Sequence, residues 1–229
     1  MPLGNVGPVT RFSAAIFDFG DTLFYSPSGA DVLVEAGLDR AQADQLWDDI
    51  WRASKTPDEL AKGRDLGAER HREAWLGLFA PADSYVPGVA QLLYQRVMDH
   101  AAWLPYPDTP PVLAALHARG VRVGVLSNIP SSLRPVFDLH GLTRYVDALT
   151  ESYQHGRVKP DPELFHIACR ELDVDPADTL MVGDSHVADG AAAAIGMTAL
   201  ILPSVPRGAK RGLKHAQALC CAAGSQRPR

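Results

Sequence analysis

Two carboxylates, Asp18 and Asp21, follow directly on the apolar run Ala14-Ala15-Ile16-Phe17. An apolar stretch too short for a helix, ending in acidic and small residues, reads as a buried strand whose end meets solvent, where open α/β sheets hold ligands. The pattern recurs further on. Ser127-Asn128 closes the apolar run 121–126, Lys159 stands in a loop ahead of the helix start Asp161-Pro162, and Asp184 follows the run 179–182, with Asp189 shortly after. Clustered carboxylates repel one another, and their oxygens suit a hard cation such as Mg²⁺, which takes one or two carboxylates, waters and a substrate phosphate. With the Ser127 hydroxyl and the Lys159 ammonium facing that phosphate, the set suits phosphoryl transfer. Taken singly, each residue also has an ordinary structural reading as a turn, a solvated loop, a helix cap or an exposed helix position.

The elements that must bring these residues together follow from hydrophobic periodicity. A strand over 12–17 is predicted first. Residues 26–105 then carry helical spacing, as in Ala43, Leu46, Trp47, Ile50 and Trp51, with further helices over 59–79 and 88–102. Trp47 and Trp51, four apart, read as core residues of this helical part. After Pro105 strands and helices alternate. Asp108-Thr109-Pro110-Pro111 starts a helix with capping residues and early proline, and a strand over 121–126 follows. Next come a helix over 132–140, a strand over 146–150, a helix capped by Asp161, a strand over 179–182, a helix over 186–195 and a strand over 198–202. Such alternation argues for a parallel sheet with helices on both faces, whose carboxyl ends lie along one edge. The fold class predicted is α/β, a Rossmann-like parallel-sheet core with an inserted α-helical cap domain. Residues 1–25 and 106–229 form the core, and 26–105 the helical insertion.

Composition bounds the alternatives. The chain has 229 residues, 46% of them hydrophobic, enough for one good core with a smaller second lobe. A formal charge of −5 gives no broad basic footprint for nucleic acid. Cys169, Cys220 and Cys221 show neither a disulfide framework nor zinc-ligand spacing. Residues 1–13 lack the layout of a signal peptide, and no apolar run approaches the roughly 20 residues that span a bilayer. A cytoplasmic protein acting without nucleic acid or membrane is expected. The tail from Arg207, with Lys210, Arg211, Lys214, Arg227 and Arg229, reads as a solvated basic surface whose first half forms a helix.

The ordered set resembles the haloacid dehalogenase-like hydrolase superfamily, in the group whose helical cap lies between the first and second motifs. Asp18-Phe19-Gly20-Asp21-Thr22 is similar to the first motif, Leu126-Ser127-Asn128 to the second, Lys159-Pro160-Asp161-Pro162 to the third, and Gly183-Asp184-Ser185 with Asp189 to the fourth. The resemblance implies a Mg²⁺-dependent phosphatase of a small phosphorylated metabolite. Asp18 would be the nucleophile that forms an aspartyl-phosphate, and Thr22 would orient the motif. Asp18, the Gly20 carbonyl, Asp184 and Asp189 would hold Mg²⁺, while Ser127 and Lys159 would meet the phosphoryl oxygens. Asn128 would stand behind the substrate. Tyr25, Arg64 and Arg72 in the insertion are candidates for substrate contact.

One departure stands out. Phosphatases of this kind usually carry a second Asp two places after the nucleophile, as the acid for the leaving oxygen; here the position is Gly20. Asp21 is one place late, and His186 is a second candidate donor. General acid help is typically worth about 10²- to 10⁴-fold. The dehalogenase branch also lacks this Asp, because halide leaves unprotonated, so carbon-halogen hydrolysis is the rival enzyme reading. A phosphonatase would need a cap lysine such as Lys55 or Lys62. A weakly active Mg²⁺- and phosphate-binding module is the reading from another class.

Overall fold

The computed structural model describes residues 11–25 and 28–221. The chain opens with β1 (Ala14–Phe17), a tight loop and β2 (Phe24–Tyr25). Five helices follow: α1 (Gly29–Glu35), α2 (Arg40–Ala53), α3 (Pro57–Ala61), α4 (Ala68–Phe79) and α5 (Val89–Met98). Strand β3 (Leu104–Pro105) ends this stretch. Then come α6 (Thr109–His117), β4 (Arg122–Ser127), α7 (Arg134–Leu139), β5 (Ala148–Glu151), α8 (Ser152–His155) and α9 (Pro162–Leu172). The last elements are β6 (Thr179–Gly183), β7 (Thr198–Ile201) and α10 (Lys214–Cys221). Arg227 and Arg229, and residues 1–10 of the leading segment, lie outside the described residues.

The main sheet is parallel throughout, in the order β5-β4-β1-β6-β7. The chain runs outward from β1 on one side, through β4 and β5, then returns to build β6 and β7 on the other. This reversal opens a crevice at the carboxyl end of β1, the position where doubly wound sheets bind ligands. Every residue of β1 is buried, because alternate side chains enter different cores. Ala15 and Phe17 pack with α6, α7 and α10 through residues such as Leu113, Phe137 and Ala216. Ala14 and Ile16 meet Leu164, Phe165 and Leu172 of α9 on the opposite face.

The helices between β2 and β3 have an apolar cluster of their own, including Leu33, Ile50, Trp75, Phe79 and Leu93. Both passages between this unit and the sheet run through the short antiparallel ladder Phe24↔Pro105 and Tyr25↔Leu104. The ladder is anchored at its root by Leu23, whose carbonyl accepts from Tyr106 N and from Thr109 Oγ1 at 2.7 Å.

Several sequence expectations change. The helix expected over 59–79 is broken, since Gly63 takes the left-handed conformation after α3 and a 3₁₀ turn, Arg64–Leu66, precedes α4. Only a 3₁₀ helix, Gly190–Ile195, forms within 186–195, because the Asp189 carboxylate holds the turn at 184–185. Asp108 does not cap its own helix. Its carboxylate accepts from the backbone N–H groups of Arg211, Gly212 and Leu213 at 2.8, 2.8 and 2.9 Å, just ahead of α10. Arg211 is buried rather than solvated. Its guanidinium donates to the carbonyls of Asp21 (2.6 Å), Leu202 (3.2 Å) and Pro203. Lys210 and Lys214 do face solvent. No helix among the described residues is long and apolar enough to cross a membrane.

Hydrogen bonds to a buried carboxylate are each worth roughly 1.5–3 kcal/mol, and truncation leaves the donors unpaired. Asp108→Ala is therefore expected to lower unfolding free energy by about 2–4 kcal/mol, measured by urea denaturation. A loss below about 0.5 kcal/mol, the range of an ordinary surface change, would contradict the role of this latch.

Candidate active site

The residue after β1 is Asp18, whose backbone N–H still pairs with Val182 O of β6 at 2.8 Å, so the side chain emerges at the crevice with little freedom. Lys159, in the loop before α9, sends its ammonium into the same space. Its Nζ donates to Asp18 Oδ1 at 2.7 Å and to Asp189 Oδ1 at 2.6 Å, with the lysine side chain only 3% exposed. The other Asp189 oxygen accepts from the backbone N–H groups of Asp184 (3.1 Å) and Ser185 (3.0 Å). One oxygen each from Asp18, Asp184 and Asp189 lies within 4.8 Å of the others. Ser127 ends β4 and is buried beside them, lining the same cavity.

The electrostatics show a shortage of positive charge. Burial raises the Asp18 carboxyl to about 7 despite the neighbouring Lys159 ammonium, and Asp189 and Asp184 add to the rise. Asp184 is also raised, first by burial and then by Asp189 and Asp21. Burial works against the Lys159 charge, but Asp18 and Asp189 outweigh it and push its pKa upward. Three carboxylates against one ammonium leave two negative charges. A hard divalent cation among these oxygens would offset them, so the donor set fits Mg²⁺ in chemistry and charge. Gly20 lines the same cavity, and its carbonyl accepts no backbone hydrogen bond among the described residues. Asp189 differs from Asp18 and Asp184, because both of its oxygens are already engaged within the protein.

A cavity of about 430 Å³ lies over this cluster, between the sheet edge and the helical unit. Asp18, Gly20, Asp21, Ser127, Asn128, Lys159, Asp184, Asp189 and Arg64 line it, whereas Tyr25, Arg72 and His186 do not. Tyr25 instead stacks edge-on with Tyr106, Arg72 reaches Gln91, and His186 is exposed. The expected proton donation by His186 and substrate contact by Tyr25 and Arg72 thus find no support in the geometry. Asn128 is likewise not free for substrate: its Nδ2 donates to Lys159 O at 3.0 Å and its Oδ1 accepts from Lys159 N at 2.7 Å. It is a positioning residue for the lysine. The Thr22 hydroxyl is buried without a hydrogen-bond partner, so it does not orient the loop through a side-chain bond.

Asp21 adopts the left-handed conformation, φ 54, and its N–H and carbonyl are fixed by Phe24 O and the Arg211 guanidinium. Sequence reasoning missed two contributors, Asp65 and Trp103. Asp65 lines the cavity from the break between α3 and α4, and burial raises its carboxyl to about 6 against the opposing charges of Arg64, Lys55 and Lys159. Trp103 closes the cavity beside Gly20. Trp47 and Trp51 pack on the helical core, as expected, but also line the cavity. The Gly63 and Gly67 pair was a usable signal for the break that brings Asp65 to the cavity.

Gly183 has no room for a side chain, since a Cβ there would overlap the Asp189 carboxylate. Gly183→Ala is expected to dislodge Asp189, weaken divalent-cation binding at least about tenfold, and leave secondary structure intact. Isothermal titration with Mg²⁺ and circular dichroism check this, and unchanged affinity would contradict it.

A family model for haloacid dehalogenase-like hydrolases matches residues 12–196. Among curated relatives, a phosphoglycolate phosphatase of Cupriavidus necator is 40% identical over 93 residues, 40% of each chain. This chain therefore matches only two fifths of that relative's length. A ribulose-1,5-bisphosphate 5-phosphatase of Halopiger xanaduensis is 27% identical over 208 residues, covering 84% of this chain and 85% of its own. Among solved structures, the L-2-haloacid dehalogenase of Xanthobacter autotrophicus superposes with a TM-score of 0.65 at 25% identity, over 86% of this chain and 80% of that one. Matched by the family model over most of its length, the chain belongs to the haloacid dehalogenase-like hydrolase family.

Proposed function

We propose that the protein is a Mg²⁺-dependent phosphoric monoester hydrolase of a small phosphorylated molecule, with Asp18 as nucleophile and the helical unit over 26–105 as a cap on the core formed by 1–25 and 106–229. The observation that carries this reading is the carboxylate cluster around Lys159, left with two uncompensated negative charges at the sheet's crevice. The similarity to curated phosphatases supports it. Asp18, Asp184 and the Gly20 carbonyl would hold the ion, with Asp189 keeping the 184–185 turn in place. A bound Mg²⁺ supplies positive charge against the substrate phosphate and the carboxylates.

In the first step the free Asp18 oxygen attacks phosphorus; the new O–P bond forms as the ester O–P bond breaks, and its electron pair leaves with the ester oxygen. Splitting hydrolysis this way replaces one difficult displacement with two easier ones. Lys159 favours the ionised form of Asp18 against the effect of burial and holds it in place, and with the Ser127 hydroxyl it meets charge developing on the phosphoryl oxygens. Water then attacks the same phosphorus, its proton passing to solvent, as the Asp18 O–P bond breaks and its electron pair returns to Asp18, releasing phosphate and restoring the carboxylate. No side chain at Gly20 protonates the departing oxygen, which slows substrates whose leaving group is a strong base.

Carbon-halogen hydrolysis is the second reading, favoured by Gly20 and by the structural likeness to a haloacid dehalogenase. The carboxylate cluster weighs against it, because halide displacement needs no divalent cation, and without one the haloacid's carboxylate would face uncompensated negative charge.

A panel of phosphate esters and 2-haloacids, assayed with and without Mg²⁺, separates the two. Phosphate release that needs Mg²⁺ and falls at least about 10³-fold in Asp18→Asn is expected; metal-independent halide release would overturn the reading. A Cβ at Gly20 would sit 3.6 Å from Trp103, an ordinary contact, so the missing acid can be added. Gly20→Asp is expected to raise kcat/KM for alkyl phosphates more than for aryl phosphates, and an equal effect on both would contradict the account of Gly20.

A further inference from the structure

The cavity has two unlike halves. Its floor is charged, formed by Asp18, Lys159, Asp184 and Asp189; its roof, contributed by the helical unit, is aromatic and apolar. Trp51 lies between Trp47 and Trp75, with ring centroids 6.1 Å from each and planes 27° and 24° apart, so the three indoles form a continuous wall. Trp103 closes the side next to Gly20, and the large apolar residues Leu60 and Val187, 51% and 60% exposed, flank the opening.

The polar groups of the roof are largely engaged. Arg64 is buried, donates to Ser54 O at 2.7 Å, and stacks its guanidinium 5.1 Å from the Trp75 ring. His71 pairs with the Tyr94 hydroxyl at 3.3 Å, and burial pushes its pKa down to about 3, so it brings no charge. Lys55 lies over Trp51 at 4.6 Å. The buried indole N–H of Trp75 has no partner in the protein. Beyond the Lys55 ammonium, the Asp65 carboxylate and the Trp75 N–H, a polyhydroxylated leaving group would meet few free donors and acceptors along this wall, and burying unpaired hydroxyls is costly. An aromatic ring, in contrast, gains both apolar burial and ring stacking.

Gly20 independently favours the same chemistry. Without an acid at this position the leaving oxygen departs as an anion. A phenol, with a pKa near 10, tolerates this, whereas an aliphatic alcohol, close to water at about 15.7, does not.

Building on the phosphatase reading, we infer that the substrate is an aryl phosphate, its ring held against the Trp47-Trp51-Trp75 wall and its phosphate on the Asp18-Lys159 floor. The phenolate leaves with the electron pair of the ester P–O bond and takes its proton from solvent after departure.

The test compares phenyl phosphate with cyclohexyl phosphate, which match in size but differ in leaving group, alongside sugar phosphates and phosphoglycolate. Phenylphosphonate and cyclohexylphosphonate, which cannot be hydrolysed, report recognition alone. The expected results are a kcat/KM for phenyl phosphate at least about 100-fold above that for cyclohexyl phosphate, and a phenylphosphonate inhibition constant about tenfold below its cyclohexyl counterpart. Trp51→Leu, checked for folding by its thermal melt, is expected to erase the inhibitor preference. Phosphate release led by sugar phosphates or phosphoglycolate, without aryl preference, would overturn the substrate assignment and leave the phosphatase standing. Efficient alkyl phosphate hydrolysis that disappears in Asp65→Asn would also overturn it, with Asp65 as the acid. No phosphate from any ester would overturn both.

Discussion

The structure turns on one buried ammonium. Lys159 Nζ sits between Asp18 and Asp189 at hydrogen-bonding distance from both, and it joins three separate parts of the chain: the end of β1, the loop before α9 and the loop after β6. A buried lysine is tolerable only when paired and bonded, and a buried carboxylate likewise. Each group is thus a condition for the others. Asn128 fixes the lysine through its backbone, and Asp189 fixes the turn carrying Asp184, so the charged side chains are braced by polar bonds to neighbouring backbone. Under the proposed function, the remaining negative charge would draw a cation to the site and, through it, a phosphate.

The rest of the fold holds this arrangement at the edge of a sheet and regulates what lies above it. β1 is buried on both faces and flanked by β4 and β6, which leaves the loop from Phe19 to Phe24 as the part most in need of support. That support comes from far along the chain. Asp108 gathers the backbone of 211–213, and Arg211 then reaches the Asp21 carbonyl. The tail thereby braces the loop that carries Gly20, next to the two-stranded ladder through which the helical unit is attached.

Most of the scaffold was legible in the sequence because its signals are local. Short apolar runs marked all five strands of the parallel sheet, and their ends marked Asp18, Ser127 and Asp184. What the sequence hid were interactions decided by distant partners. Arg211 looks like one more basic residue in a polar tail, and only the closeness of three carbonyls makes it a buried clamp. Asp108 has the right neighbours to cap α6 and instead serves the tail. Tyr25 and Arg72 suit a substrate by chemistry but point elsewhere, whereas Trp47 and Trp51, read from their helical spacing as core, also line the cavity. Periodicity tells which residues share a face, not what that face meets.

The central claim is that Asp18 carries the phosphoryl group between the two steps. The direct measurement is mass spectrometry of the Asp18 peptide from enzyme quenched in acid during turnover of an aryl phosphate with Mg²⁺. The account predicts one phosphoryl group on Asp18, absent from Asp18→Asn, which also releases no phosphate. An unmodified Asp18 peptide, together with phosphate release that persists in Asp18→Asn, would contradict it.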